Sequence, residues 1–132
     1  MFGLVLNRKK LLADNKLLGR WGERRCESFL KKQGFRRLAN NYTCKAGEID
    51  LIMVDGSGAI VFVEVKTRTN EDFEAVESVI TQTKKDKLTR VARYFLAANE
   101  IANRPCRFDI VTIVLGEAGP VQIRHYKNAF IP

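Results

Sequence analysis

Two arms, residues 47–54 and 61–66, constrain the fold most strongly because each combines strand-forming apolar residues with charged ones. β-Branched and long apolar side chains predominate in both arms, and the short glycine-containing segment between them predicts a β-hairpin. Side chains on a strand alternate between its faces, so Glu64 and Lys66 project from the same face of the second arm. Asp50 lies in the first arm. Burial of such charges is costly, which indicates that they serve a purpose.

The register of this hairpin decides whether its two acidic side chains meet. If residues 56–58 form the loop, Asp50 lies directly opposite Glu64, with the two Cβ atoms about 5 Å apart. Strict alternation puts Asp50 on the side of Ile52 and puts Ile49 on the other side. Two carboxylates this close in apolar surroundings repel each other, and a divalent cation with oxygen ligands relieves the repulsion most simply. One extra loop residue would turn one arm over and separate the two acids.

The chemistry of this set is that of a metal-assisted hydrolase. Asp50 and Glu64 are hard oxygen ligands of the kind that Mg²⁺ or Mn²⁺ prefers, and the carbonyl of Val65 between the functional side chains is an expected further ligand. A water bound to such a cation has a lowered pKa and can attack phosphorus. Lys66 could orient that water, deprotonate it or stabilise the transition state. Glu23 could hold a water or a second ion.

Composition indicates a folded and basic domain. The chain has 132 residues, of which 45% are hydrophobic, and residues 17–132 are interpreted as a single domain behind an N-terminal extension, residues 1–16. The net charge of +8 predicts a polyanionic partner, nucleic acid before membrane, with a solvated basic surface as the alternative. No apolar run approaches the ~20 residues of a membrane span. Because the N-terminal order of apolar and basic residues does not fit a secretory signal, a cytoplasmic location is expected.

Cysteine and histidine usage argues against a zinc site or a disulfide framework. The cysteines, Cys26, Cys44 and Cys106, are odd in number and not closely spaced, and His125 is the single histidine. We therefore expect buried, reduced thiols and a structural role for His125.

Helical periodicity appears in two segments. The first runs from about Leu17 to Gln33, with Glu23 on the shoulder of its apolar stripe, where it can either reach a site or form a solvated or salt-bridged position. The second is the clearest periodic signal and is preceded by Thr83, a candidate N-terminal cap. Lys84 continues the inward stripe at the start of this helix, where a cation opposes the helix dipole and a nearby anion would offset the cost.

The remaining segments predict further strands. Two short strands are expected on either side of a turn at residues 40–41, and alternation over residues 107–115 and 121–126 predicts two more. The element order predicts the α/β class, with a mixed central β-sheet flanked by two main helices.

The motifs of the hairpin resemble a known family. The segment Gly47-Glu48-Ile49-Asp50-Leu51-Ile52, followed by Val61-Phe62-Val63-Glu64-Val65-Lys66-Thr67-Arg68, is similar to the YraN-like family of bacterial proteins of unassigned function. That family resembles archaeal Holliday-junction resolvases and the wider PD-(D/E)xK nuclease superfamily. The resemblance extends from about Gly19 to Phe130 and includes Gly22-Glu23 and Arg107-Phe108-Asp109.

This resemblance implies a restriction-endonuclease-like fold and a nuclease site. It implies metal binding by Asp50 and Glu64, catalysis by Lys66 and completion of the site by Glu23. It also places Lys84 near the phosphate. Further nucleic-acid contacts are expected from Arg68, Lys85 and Asn41, and the resolvase-like architecture suggests a homodimer.

Three functions remain open at this level. The first is a Mg²⁺- or Mn²⁺-dependent endonuclease that acts on branched or otherwise structured DNA. The second is a nucleic-acid-binding module of the same fold that does not cut. The third is a non-enzymatic interaction domain in which Lys66 and Lys84 hold the acidic pair as a buried ion network.

Overall fold

The predicted hairpin lies at the centre of a five-stranded sheet. The computed structural model describes residues 7–69 and 80–130. In these ranges the helices are α1 (Arg8–Ala13), α2 (Asn15–Lys31) and α3 (Gln82–Ala98), and the strands are β1 (Arg36–Cys44), β2 (Gly47–Val54), β3 (Ile60–Arg68), β4 (Cys106–Val114) and β5 (Gln122–Phe130). None of these helices combines the length and the apolar character that crossing a membrane requires.

The sheet is mixed, and the strands follow one another in the order β1-β2-β3-β4-β5. Neighbouring strands are antiparallel except β3 and β4, which are parallel. The chain between these two strands contains α3, as a parallel connection requires a crossover. The predicted α/β class, mixed sheet and two main helices are confirmed.

Each main helix covers one face of the sheet. The apolar stripe of α3 packs on one face and that of α2 on the other, so the core consists of two clusters separated by the sheet. The α3 cluster includes Ile49, Ile52, Phe62, Val91, Phe95 and Phe108, and the α2 cluster includes Cys26, Leu30, Leu51, Val61, Val63 and Ile113. Burial of these side chains on both faces explains why β2 to β4 read as nearly continuous apolar runs.

Several local predictions are wrong. Residues 40–41 do not form a turn between two strands, because β1 runs through them and Asn41 adopts a φ of 48° within it. The cap of α3 is Thr81, whose side chain accepts the backbone N–H of Lys84. Among the cysteines only Cys26 is buried, although all are free.

Candidate active site

The hairpin register agrees with the prediction as far as the strands remain paired. Leu51 lies opposite Val63, and Ile52 lies opposite Phe62. The backbone N–H of Asp55 donates to the carbonyl of Ala59 at 3.0 Å, which closes the three-residue loop. Beyond the Leu51 pair, β2 and β3 no longer form a ladder, and the side chain of Asp50 enters the gap.

Asp50 occupies a local irregularity of β2. Ile49 and Ile52 both pack in the α3 cluster, so the alternation of side chains changes phase between them, and the expectation that Ile49 lies on the other face is wrong. The neighbouring pairs of the β1–β2 ladder place Asn41, with its positive φ, across from Asp50. This distortion explains why Asp50 can turn toward β3, where its Oδ2 accepts the backbone N–H of Val65 at 2.8 Å.

The carboxyl groups of Asp50 and Glu64 meet at this gap. They are close enough for a protonated Asp50 to donate a hydrogen bond to Glu64. Burial, followed by the negative charge of Glu64, raises the pKa of Asp50 to about 8, and the N–H of Val65 only partly offsets this rise. The raised pKa favours a protonated Asp50 near neutral pH, and a bound cation would replace that proton.

Two lysines surround Glu64. The Nζ of Lys84 lies 2.8 Å from Glu64 Oε2, and the Nζ of Lys66 lies 3.6 Å from the same oxygen. Burial and the neighbouring Lys84 lower the pKa of Lys66. Burial also acts to lower the pKa of Lys84, but the hydrogen bonds with Glu64 and Lys66 and the negative charges of Glu64 and Asp50 together outweigh it and leave that pKa raised. The two amines therefore differ in character: Lys84 holds its proton, whereas Lys66 releases its proton more readily.

Glu23 borders the site from α2. Its Oε1 accepts a hydrogen bond of 2.9 Å from Nδ2 of Asn41, and its charge contributes to the raised pKa of Asp50. Gly22 explains how the helix reaches this position, because a Cβ atom there would lie 1.9 Å from Oγ1 of Thr67 on β3. The missing side chain lets α2 approach the strand closely enough to bring Glu23 to the site.

A solvent-filled cleft lies beside the acidic pair. It has a volume of about 440 Å³, and α2 and the end of β3 form its walls. Glu23, Val65, Lys66 and Arg68 line it. Lys85 lies apart from this cluster, with its Nζ 5.8 Å from the centre of the Phe130 ring, so its contact with nucleic acid stays a prediction.

The donor set fits a hard divalent cation with few protein ligands. Among residues 7–69 and 80–130, no three His, Cys, Asp or Glu side chains gather into a metal-binding group. Asp50 and Glu64 supply carboxylate oxygens, and Asp50 accepts the N–H of Val65. Because the N–H and the C=O of one strand residue point to the same edge, the carbonyl of Val65 is directed toward the same gap. Two carboxylates and one carbonyl suit Mg²⁺, which keeps several waters.

Sequence reasoning missed a second, buried cluster of charges around Asp109. Its fully buried carboxylate accepts a hydrogen bond of 2.9 Å from Nε of Arg107 and another of 2.9 Å from the backbone N–H of Asn128. It also lies 2.7 Å from Nε2 of His125. Arg107 also pairs with Asp55 in the hairpin loop. Burial acts to raise the pKa of Asp109, but the bonds from His125 and Arg107 lower it overall. The cluster joins the hairpin loop to β4 and β5. The resemblance includes Arg107-Phe108-Asp109, but neither it nor the alternation of charged with apolar residues there predicted the partners of Asp109.

Comparison with known protein families and curated proteins gives consistent matches. Residues 22–113 match the model of a family described as "Uncharacterised protein family UPF0102". A UPF0102 protein from Pelotomaculum thermopropionicum is 39% identical over 121 residues, which cover 90% of this chain and 100% of that protein. Another, from Caldicellulosiruptor saccharolyticus, is 43% identical over 114 residues, which cover 86% of this chain and 96% of that protein.

Solved structures give weaker matches. A repair endonuclease from Pyrococcus abyssi shares 21% sequence identity with a TM-score of 0.38, over 68% of this chain and 34% of that chain. SfsA from Pyrococcus furiosus, solved in complex with Ca²⁺, shares 14% identity with a TM-score of 0.36, over 86% of this chain and 64% of that chain. Structural similarity at this level identifies no function.

Proposed function

This chain belongs to the uncharacterised protein family UPF0102, and we propose that it is a metal-dependent endonuclease that hydrolyses phosphodiester bonds in branched or structured DNA. One observation carries the proposal: the carboxyl groups of Asp50 and Glu64, from neighbouring strands, meet in a largely buried position beside two lysines. Bringing like charges together in this way costs stability, and a bound divalent cation recovers it.

The proposed ligands of Mg²⁺ or Mn²⁺ are Asp50, Glu64 and the carbonyl of Val65. When bound, such a cation lowers the pKa of a coordinated water and neutralises charge on the phosphate oxygens. Asp50 is positioned for this role by the N–H of Val65, which fixes the orientation of its carboxylate. Deprotonation of Asp50, whose pKa is raised, accompanies occupation of the site, so binding should strengthen as the pH rises.

Lys66 is the proposed proton acceptor for the attacking water. Its lowered pKa favours the neutral amine, which can accept a proton at Nζ. Lys84 has a raised pKa and therefore remains an ammonium group, suited to facing the oxygens of the phosphate. Glu23, held by Asn41, would orient a further water at the edge of the site.

Branched DNA is the proposed substrate because of the resemblance of the hairpin motifs to those of resolvases. A homodimer would present two such sites to the two symmetric strands of a four-way junction. The cleft between α2 and β3, which Glu23 and Lys66 line, is open to solvent and therefore accessible to a large substrate.

One observation favours a second candidate, a nucleic-acid-binding module without cleavage. The Nζ of Lys84 already lies 2.8 Å from Glu64, so part of the negative charge of the acidic pair is compensated without a cation. Such a module would bind DNA in a salt-sensitive manner and would show no metal-dependent turnover on any substrate.

Cleavage of labelled four-way junctions and flaps in Mg²⁺ or Mn²⁺ tests the proposal. We expect Lys66→Ala and Asp50→Asn each to reduce the cleavage rate at least 100-fold, as is typical when a general base or a charge-stabilising group is lost. Lys87→Ala, a change of an exposed lysine on α3, is the matched control and should keep the wild-type rate. Calorimetry with Mn²⁺ alone gives an independent readout, because Asp50→Asn should abolish binding whereas Lys66→Ala should retain it. Unchanged cleavage by Lys66→Ala would refute the catalytic assignment.

A further inference from the structure

A basic groove leads away from the candidate active site between α2 and β1. We call it the α2–β1 groove and define it by its cationic side chains, Arg20, Arg24, Lys31, Lys32 and Arg37. It has two sections with volumes of about 210 and 410 Å³. The function proposed above makes no use of these residues.

The α2–β1 groove adjoins the active-site cleft at Glu23. Glu23 lines both the active-site cleft and the nearer section of the groove. Arg24 and Glu27 line both sections of the groove. A polymer that extends from the active-site cleft along α2 therefore passes Glu23 and enters the groove.

The charges of the groove are only partly balanced within the fold. Glu27 pairs with Lys31 at 2.6 Å and with Arg37 at 3.4 Å, and Glu23 accepts a hydrogen bond from an amide. The guanidinium groups of Arg20 and Arg24 make no hydrogen bond or ion pair with any residue in ranges 7–69 and 80–130, and both side chains are exposed.

The placement of Arg20 and Arg24 favours an external anion. The two residues are four positions apart on α2, so their side chains are neighbours on one face of the helix. Like charges at this spacing destabilise a helix slightly. If the two arginines served only to keep a helix face solvated, they would have no reason to line a groove. Guanidinium groups bind phosphate through two parallel hydrogen bonds, which makes a phosphodiester backbone the best chemical match.

The length of the groove fits a short stretch of nucleic acid. Eleven residues of helix separate Arg20 from Lys31, which corresponds to about 16 Å at 1.5 Å per residue. One strand of B-form DNA carries a phosphate every 3.4 Å along the axis, so this length spans about five nucleotides.

We propose that the backbone of one DNA strand lies in the α2–β1 groove on one side of the scissile phosphate. Arg20 and Arg24 contact the phosphates nearest the site, and Lys31, Lys32 and Arg37 contact those farther along. The location of the scissile phosphate rests on the proposed function, whereas the binding of the strand by the groove does not require cleavage.

A charge-matched pair of double variants tests this path. Arg20→Gln/Arg24→Gln removes two charges from the groove, and Arg90→Gln/Arg93→Gln removes two exposed charges from α3 on the opposite face of the sheet. Both variants should keep the wild-type melting temperature, since surface substitutions change stability little. The measurement is the affinity of each protein, as the whole 132-residue chain, for a labelled four-way junction at salt concentrations between 50 and 200 mM. EDTA is present to remove divalent cations, so that cleavage does not occur.

We expect the loss of binding affinity to depend on where the two charges are removed rather than on the change in net charge. The groove variant should bind on the order of 10- to 100-fold more weakly at 0.1 M salt, and the slope of log K against log salt should fall in magnitude by about 2. The α3 variant should stay within about threefold of the wild type, because distant exposed charges are screened. Equal losses in both variants would overturn the path, as would a wild-type chain that binds no junction.

The design separates this inference from the proposed function. Binding that depends on the groove, without cleavage by the wild type in Mg²⁺ or Mn²⁺, supports the path and refutes the nuclease. Cleavage by the wild type with equal binding losses in the two variants refutes the path alone. Junctions with neutral methylphosphonates beside the cut position add a second readout, because they should weaken binding of the wild type but not of the groove variant.

Discussion

Replacing Gly22 with alanine tests the packing that brings α2 to the candidate active site. A Cβ atom at Gly22 would lie 1.9 Å from Oγ1 and 3.0 Å from both Cβ and Cγ2 of Thr67. Either the helix moves away from β3 or Thr67 changes its rotamer, and β-branched side chains have few alternatives. Because Glu23 follows Gly22 and Lys66 precedes Thr67, the same contact sets the distance between these two site residues.

The chain contains a matched control for this change. Gly19 lies on the same helix, and a Cβ atom there would meet nothing within 4 Å. Both substitutions gain up to about 1 kcal/mol of helix propensity. Only Gly22→Ala adds the cost of overpacking, about 1–3 kcal/mol. The difference between the two variants therefore isolates the close contact, and it corresponds to about 3–10 °C in melting temperature for a domain of this length.

Urea and thermal unfolding of both variants provide the measurement. We expect Gly19→Ala to match or exceed the wild type in free energy of unfolding and Gly22→Ala to fall below it. In a Thr67→Ala background, which removes Oγ1 and Cγ2, the penalty of Gly22→Ala should largely disappear. A Gly22→Ala protein as stable as Gly19→Ala would show that α2 does not approach β3 as closely as described.

Three further predictions concern buried groups. The pKa of Asp50 is raised to about 8 from 3.8, so the folded state binds its proton more tightly than the unfolded chain. The metal-free wild type should therefore lose stability as the pH rises through this window. Melting curves in EDTA should show this loss, and Asp50→Asn should lack it. Asp109, whose pKa is lowered, contributes stability above pH 3.8 that disappears as the pH falls further. Asp109→Asn should cost about 1.5–3 kcal/mol in denaturant unfolding, because Arg107 keeps Asp55 but loses the charged acceptor of its hydrogen bond; a loss smaller than 1 kcal/mol would contradict the network. Thr112, a buried residue of β4, has a hydroxyl without a hydrogen-bond partner among the described residues. Thr112→Val should therefore raise the free energy of unfolding by about 1 kcal/mol. A decrease would show that the hydroxyl makes a hydrogen bond in the folded protein.

Two predictions that depend on local pattern agree with the structure. The hairpin register followed from loop length and from the alternation of apolar side chains, and the pairing of Leu51 with Val63 confirms it. The inward position of Lys84 followed from helical periodicity, and its contact with Glu64 supplies the expected anion. The match to UPF0102 confirms the resemblance to the YraN-like family.

Two of the predictions that failed depend on distortions that local pattern does not record. The sequence Asn40-Asn41 predicted a turn, whereas Asn41 adopts its positive φ inside β1. Asparagine tolerates this conformation both in turns and in distorted strands, so the residue type does not distinguish the two. The phase change between Ile49 and Ile52 follows from the same distortion across the sheet. Neither feature changes which residue types the strands prefer, so neither could be read from composition.

The sequence by itself determined the class of fold and the hairpin register as far as Leu51 and Val63, because periodicity and turn length act between neighbouring residues. The approach of Asp50 to Glu64 also required the irregularity of β2, which turns Asp50 toward β3. Only the tertiary structure decided how Glu23 reaches the site, through the bare backbone of Gly22 against Thr67, and how Asp109 gathers partners from β4 and β5. The α2–β1 groove was also decided by the tertiary structure. In the sequence Arg20 and Arg24 lie on a helix face that is expected to be solvated, and only the packing of β1 beside α2 makes that face one wall of a groove. Contacts between distant segments depend on how whole elements pack, and packing is decided by the shapes of all the side chains together.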